Sequence, residues 1–326
     1  MTVQTERVKA DPAAGAAAPA RIPPGRPSKG RGAALAPYLL LLPALIATAV
    51  LLGWPLGKNL LISFQTLEPK QLIQHLTEWT GFSNYQEVLT SEEFWNVTMR
   101  SVIFTAVNVV LIMVLGTLVG LLLARLGPRL RVLLLFGLVL AWAMPVVAGA
   151  TVFQWLFAQR FGVVNWVLAS LGWESMADHN WYETQFSTFF VIILLIVWMS
   201  IPFVAINLYA ATTTIPKELY EAAALDGAGA WRSFTSVTLP YLRPFLWATT
   251  FLEVIWVFKA LTQVFAINRG GPDRLTEILP LYAFVEGYGN QHFGTGAAIS
   301  FLTILVLLVI TGYYLRTVLK QGEDEL

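Results

Sequence analysis

The sequence predicts an all-α, polytopic membrane protein with six transmembrane helices. Of its 326 residues 56% are hydrophobic and only 13% are charged, too little charge to cover the surface of a water-soluble domain of this length. Mean hydropathy is +0.63. Apolar runs of about 18 or more residues recur, each long enough to cross a bilayer core. The short alternating segments of a membrane β-barrel are not the pattern here.

Residues 1–36 are rich in Ala, Pro and Gly and carry Arg21, Arg26, Lys29 and Arg31. That composition cannot bury a core and reads as a disordered basic tail. The apolar run after it is long enough to span, and no small-residue cleavage site follows. It reads as an uncleaved first helix rather than a signal peptide. The spans are expected near 37–57, 101–124, 132–157, 186–210, 245–267 and 295–315, and together with their loops they make 37–326 one six-helix transmembrane domain. No internal repeat is evident. With the N-terminus inside, 14 of the 21 Lys and Arg fall in inside segments and 6 outside, Lys259 lying within a span. That bias places both termini in the cytoplasm, 58–100, 158–185 and 268–294 outside, and 125–131 and 211–244 inside.

Several functions are excluded by what is missing. A net charge of +1 without a basic patch beyond the tail gives nucleic acid nothing to bind. Cysteine is absent, which removes disulfides, thiolate metal sites and cysteine nucleophiles. His75, His179 and His292 are scattered over three outside loops, and no metal site is expected. Gly53-Trp54-Pro55-Leu56-Gly57-Lys58 has the wrong spacing for a phosphate loop, with Asn59 where Ser or Thr is required. No hydrolase or intramembrane protease motif appears. No catalytic residue is therefore expected, and no cofactor on this chain.

Between the fourth and fifth spans lies a polar, helix-forming island. Pro216 suits a first helical position, Lys217 to Asp226 are mostly good helix formers, and Gly227 can end the helix in a left-handed conformation. A second short helix is expected from about Gly229, with Pro240 and Pro244 marking the return to the membrane. The small residues Ala222, Ala223 and Ala224 would let another surface approach closely. Glu221 and Asp226 would supply charge to a partner.

These residues carry a resemblance. Glu221-Ala222-Ala223, three residues, Gly227, nine residues, then Val237-Thr238-Leu239-Pro240 resembles the signature of permease subunits of bacterial ABC importers, with Val237 for the usual Ile. Asp226-Gly227-Ala228, Phe234 and Pro244 resemble the carbohydrate-importer branch. So do Pro43, Pro55 and Ser63-Phe64, and Gly81-Phe82-Ser83-Asn84-Tyr85 with Phe82 for Leu. Gly270-Gly271-Pro272 is similar to that branch's Gly-Gly-Pro, although Asn268-Arg269 replace its Thr-Gly. The chain resembles the maltose-type first permease of a heterodimeric pair, without the extra helices and large external loop some of these have.

The resemblance implies the fold of an ABC type I importer permease, with 216–240 as a coupling loop seated in an ATPase subunit. It implies that Glu221, Ala222, Ala223, Asp226, Gly227, Leu239 and Pro240 carry the coupling. The expected partners are a second permease, a cytoplasmic ATPase dimer that uses the ATP, an extracytoplasmic solute-binding protein and a sugar, a di- or oligosaccharide. The expected location is the bacterial cytoplasmic membrane.

Span five also holds Glu253 and Lys259. On a straight helix they would stand about 240° apart and about 9 Å apart along the axis, so they are not a simple pair. Charges at membrane depth face a cavity or a partner. Glu253, Lys259 and Trp256, which could stack on a sugar face, are candidates for the translocation path, with Asn108, Trp198, Trp142 and Trp155 as weaker ones. The competing reading is a self-sufficient secondary transporter of a small polar solute, coupled to ions through Glu253 and Lys259. It leaves the island without a purpose.

Overall fold

The computed structural model describes residues 31–324, so residues 1–30 of the tail expected at 1–36 lie outside the described residues. The chain divides into two compact units, Met1–Pro55 and Leu56–Leu326. In the first, α1 (Arg31–Thr48) starts inside the expected tail and runs into a π-helical turn, Ala49–Gly53. Next come α2 (Trp54–Ile62), a two-stranded ribbon of β1 (Gln65–Thr66) and β2 (Glu78–Trp79) around α3 (Pro69–Ile73), and α4 (Ser83–Thr90). The long helices α5 (Glu92–Arg125), α9 (Gln185–Thr212) and α15 (Phe293–Asp324) form much of the bundle. Between α5 and α9 lie α6 (Pro128–Ala143), α7 (Val146–Leu156) and α8 (Val163–Ser170). After α9 come α10 (Lys217–Leu225), α11 (Ala230–Ser233), α12 (Leu239–Phe258), α13 (Leu261–Asn268) and α14 (Leu279–Phe284).

Among the described residues four helices are long and apolar enough to cross a membrane, and two bent pairs bring the number to six if each pair is one span. The bent pairs depart from the straight spans read at 132–157 and 245–267. α6 and α7 meet at 100°, because Pro145 cannot continue the helix and biases Met144 to the extended conformation it adopts. α12 and α13 meet at 43° around Lys259 and Ala260. Neither residue is a helix breaker, so nothing in local propensity marks this break. Two π-turns have a sequence cause. Ala49–Gly53 precedes Pro55 and Phe234–Thr238 precedes Pro240. A proline cannot donate to the carbonyl one turn back, and widening that turn keeps the chain helical.

The core is built on α5 against α9. Gly116 and Gly120, a small-xxx-small pair, let the backbones close. A Cβ on Gly116 would lie 2.6 Å from Val204 Cβ, and one on Gly120 would lie 2.9 Å from the Ala205 carbonyl oxygen. Phe104, Ile112, Leu195, Leu208, Val257 and Val264 are buried around this seam. A second cluster, with Phe94, Val97, Phe258 and Ile299, ties α5 and α12 to α14 and α15.

The ribbon explains two motifs that the sequence shows separately. Buried Asn84 donates through Nδ2 to the Ser63 and Gln65 carbonyls at 2.9 and 3.0 Å. The Ser63 hydroxyl meets the Tyr85 hydroxyl at 2.6 Å, and Phe64 packs edge-on against Phe82. Gly81 sits at φ +58, a region glycine occupies at no steric cost. Asn84→Ala is expected to cost about 2 kcal/mol by leaving buried carbonyls unpaired. It should appear as faster proteolysis at 63–80 in the purified protein.

Candidate functional site

The island folds as a helix, a left-handed stop and a second arm. α10 begins at Lys217, with Pro216 in the cap position rather than at the first helical residue. Asp226 is the C-cap and Gly227 follows at φ +74. The Ala228 N–H donates to the Ala223 carbonyl at 2.9 Å and the Gly227 N–H to the Ala224 carbonyl at 3.1 Å. These two bonds make a Schellman stop, which satisfies carbonyls that would otherwise be orphaned. The second arm is not a separate short helix. α11, the π-turn and α12 run on as one helical stretch, Ala230–Phe258, so Pro240 and Pro244 lie inside the helix rather than ending it. The Tyr220 hydroxyl meets the buried Thr238 hydroxyl at 2.9 Å and pins the two arms together.

The coupling candidates fall into two groups. Glu221, Ala222, Asp226, Gly227 and Pro240 are exposed, while Ala223 and Leu239 are half-buried. In the same segment Leu225 is 90% exposed and Trp231 76%. Large side chains held bare beside small ones form a surface that another chain can cover. The sequence reading passed over both. The signal was available, since Leu225 and Trp231 are large apolar residues in a segment assigned to water.

A second site lies where the helices break. A cavity of about 390 Å³ is lined by Trp142 and Met144 at the α6–α7 break, Met199 and Ser200 on α9, and Trp256, Lys259, Thr262 and Gln263 at the α12–α13 break. Backbone interrupted at membrane depth is tolerated where it lines a cavity. Two indole faces, an ammonium, two hydroxyls and an amide suit a neutral, hydroxyl-rich solute, whose C–H faces stack on aromatic rings while its hydroxyls hydrogen-bond.

The cavity brings together Trp256 and Lys259 from the path candidates, with Trp142 from the weaker set. It does not include Glu253, Asn108 or Trp198. Glu253 is fully buried, neither carboxylate oxygen accepts a hydrogen bond of ordinary geometry, and Ser200 is the polar side chain standing near it. Asn108 is buried and donates to the Phe104 carbonyl of its own helix at 2.8 Å. Trp198 packs on Phe153, with ring centres 5.8 Å apart. The straight-helix separation of Glu253 and Lys259 does not apply, because α12 ends at Phe258 and Lys259 already belongs to the break. Thr262, Gln263 and Ser200 were missed because their approach to Trp142 depends on two bends rather than on spacing.

At the opposite end of the α12–α13 arm, the Gly270-Gly271-Pro272 turn is locked by charge. Gly270, at φ +86, leaves no room for a side chain, since a Cβ would lie 2.6 Å from Glu277 Cγ. Arg274 donates to both oxygens of buried Glu277 at 2.9 and 3.0 Å and to Glu286 at 2.9 Å. Arg100 of α5 donates to the Arg274 and Glu277 carbonyls. Burial pushes the Glu277 carboxyl above its ordinary range even though Arg274 pulls it down. The hydrogen bond to Glu277 raises the Arg274 guanidinium further, against the effect of burial. Asn268 and Arg269 are accommodated because Arg269 takes the left-handed cap itself, at φ +49.

Comparison with known proteins agrees with this architecture. Residues 116–322 match the family described as binding-protein-dependent transport system inner membrane component. The chain is 71% identical over the full length of both proteins to the diacetylchitobiose uptake system permease protein DasB of Streptomyces coelicolor. It is 34% identical to the trehalose/maltose transport system permease protein MalF of Thermococcus litoralis, covering 86% of this chain and 92% of that one. Its fold is similar to a chain of a bacterial ABC transporter involved in the import of the acidic polysaccharide alginate, with a TM-score of 0.76 at 19% identity, covering 88% of this chain and 96% of that one. The chain is a multi-pass membrane protein and belongs to the family of binding-protein-dependent transport system inner membrane components.

Proposed function

We propose that this chain is the membrane-spanning permease subunit of an ATP-driven ABC importer that carries a di- or oligosaccharide into the cell, with an N-acetylated disaccharide as the first candidate. The observation that carries the mechanism is the island: two helical arms pinned by Tyr220 and Thr238 that leave Leu225 and Trp231 bare. ATP hydrolysis then belongs to a separate ATPase dimer docked on Glu221, Ala222, Asp226 and their neighbours. A second permease completes the path, and an extracytoplasmic binding protein delivers the sugar. Both termini are cytoplasmic, following the bias of positive charge. The 71% identity to a diacetylchitobiose uptake permease supports the choice of sugar. The family match speaks against the self-sufficient secondary transporter, whose two charges also stand in different surroundings.

In this mechanism the chain does no covalent chemistry. Closure of the ATPase dimer moves α10. Because α11, the π-turn and α12 are one stretch, that movement passes along Ala230–Phe258 to the break at Lys259. The cavity lies on that break, so the lever and the sugar site share one element.

The test is uptake of radiolabelled N,N′-diacetylchitobiose, maltose, trehalose and cellobiose by a deletion strain and its complement. Trp256→Ala is expected to lower uptake of the carried sugar about tenfold, the equivalent of about 1.4 kcal/mol from one aromatic face. Unchanged uptake would remove the cavity from the path. Ion-driven uptake into liposomes by this chain alone would overturn the importer reading.

A further inference from the structure

The segment between α7 and α9 serves neither the lever nor the cavity, yet its apolar residues are held outward by design. α8 is eight residues long, about 12 Å. One face is fixed to the bundle through Asn165, which is buried. Its Nδ2 donates to the Gln159 and His179 carbonyls at 2.9 and 2.8 Å, and its Oδ1 accepts from Trp181 Nε1 at 2.6 Å. Trp181 in turn packs on Phe157 at the end of α7 and stacks on Phe190 of α9. Gly162 fits where any Cβ would collide with the Ala158 carbonyl oxygen. The orientation of α8 is thus set by buried polar bonds and close packing.

On α8 and at its two ends, Trp166, Phe161, Leu171 and Trp173 are exposed by 70, 81, 74 and 62%. No charged residue occurs from Phe161 to Trp173. A cavity of about 350 Å³ beside it is lined by Arg160, Phe161, Val163 and Trp166 among others. Arg160 makes no ion pair among the described residues. A guanidinium next to an uncharged aromatic face, between the ends of two membrane helices, matches a phospholipid, with its phosphate at the cation and its acyl chains along the rings.

We propose that Arg160 and α8 form a phospholipid-binding surface, with Phe161, Trp166, Leu171 and Trp173 seated at the boundary between headgroups and acyl chains. On the orientation proposed above, this is the outer leaflet. A binding protein that docks and leaves in each cycle would return these four side chains to water. Lipid is always present, and indole rings favour that boundary.

The absence of cysteine allows a direct test, because a single introduced thiol is unique on this chain. Val163→Cys, Leu171→Cys and, as a water-side reference, Asp178→Cys are spin-labelled in the assembled transporter with cysteine-free partner subunits, in nanodiscs of phosphatidylglycerol and phosphatidylcholine. Labels at 163 and 171 are expected to collide more with oxygen and less with a water-soluble nickel complex than the label at 178. Arg160→Gln is expected to shift the 163 label toward nickel. Nickel access at 163 and 171 equal to that at 178 would place the face in water and overturn the proposal. Exclusion of both reagents would assign it to a neighbouring subunit, and protection only after adding the solute-binding protein would assign it to that protein. Either result also overturns the proposal. Reaction of Asp178→Cys with an impermeant maleimide on intact cells reads the orientation separately, so failure of the topology is distinguishable from failure of lipid binding.

Discussion

Gly227→Val is expected to abolish ATP-driven sugar uptake, by more than about tenfold, while the protein remains in the membrane at its normal level. Gly227 sits at φ +74 with open space where a Cβ would lie, so the penalty is backbone strain and not a clash. Placing a non-glycine residue in the left-handed region costs about 1–2 kcal/mol, and a β-branched one more. α10 has only nine residues, and a helix of that length is marginal by itself. The chain can relieve the strain by giving up the bonds from Ala228 and Gly227 to the Ala223 and Ala224 carbonyls. The last turn then frays, and exposed Leu225 and Asp226 lose the fixed position that the proposed coupling needs. Reconstituted transporter should show ATP hydrolysis that no longer rises with loaded binding protein. Gly227→Asn should recover much of the activity, since Asn tolerates this conformation. Full uptake by Gly227→Val would remove the stop from the coupling mechanism.

Gly120→Leu is expected to give the largest loss of stability, about 3 kcal/mol or more, seen as a lowered melting temperature in detergent and reduced accumulation in cells. A Cβ at residue 120 would lie 2.9 Å from the Ala205 carbonyl oxygen and 3.4 Å from the Tyr209 nitrogen, both main-chain atoms of α9. A rotamer change cannot relieve that contact, so the two helices must separate along the seam that holds Ile112, Val204 and Leu208. Gly116→Ala meets Val204 Cβ at 2.6 Å and should be milder. Val204→Ala removes the Cγ1 that also lies at 2.6 Å but leaves the Cβ in place, so it should restore less of Gly116→Ala than Val204→Gly does. Equal rescue by both variants would show that the side-chain branches, rather than the backbone approach, set the limit.

Much of this could be read from residues in isolation. The polar island stood out because Glu, Lys and Asp gather between apolar runs, and Gly227 marked its stop because few other residues take φ +74 cheaply. The seam at Gly116 and Gly120 was written in the sequence as small-xxx-small but was not recognised as packing. The break at Pro145 was also written there, since proline restricts the residue before it. The break at Lys259 was not, because Lys, Ala and Leu are all compatible with a continuous helix. Glu253 and Lys259 attracted attention by their cost in a membrane, yet one is buried in the bundle and the other opens onto a cavity. Cost marks a functional group but does not say which neighbours it meets.

The sequence by itself determined the membrane class, the helical fold, the island and the family signature. Each of these follows from local quantities: hydropathy over one span, helix propensity over one turn, spacing within one motif. Only the tertiary structure decided that Ser63-Phe64 and Gly81 to Tyr85 are two halves of one hydrogen-bonded clasp, that the second arm of the island continues into the fifth membrane helix, and that Trp142, Ser200, Trp256 and Gln263 share a cavity. Those relations join residues tens of positions apart through bends at Pro145 and Lys259. A bend rotates every side chain beyond it, so no periodicity along the chain can carry that information.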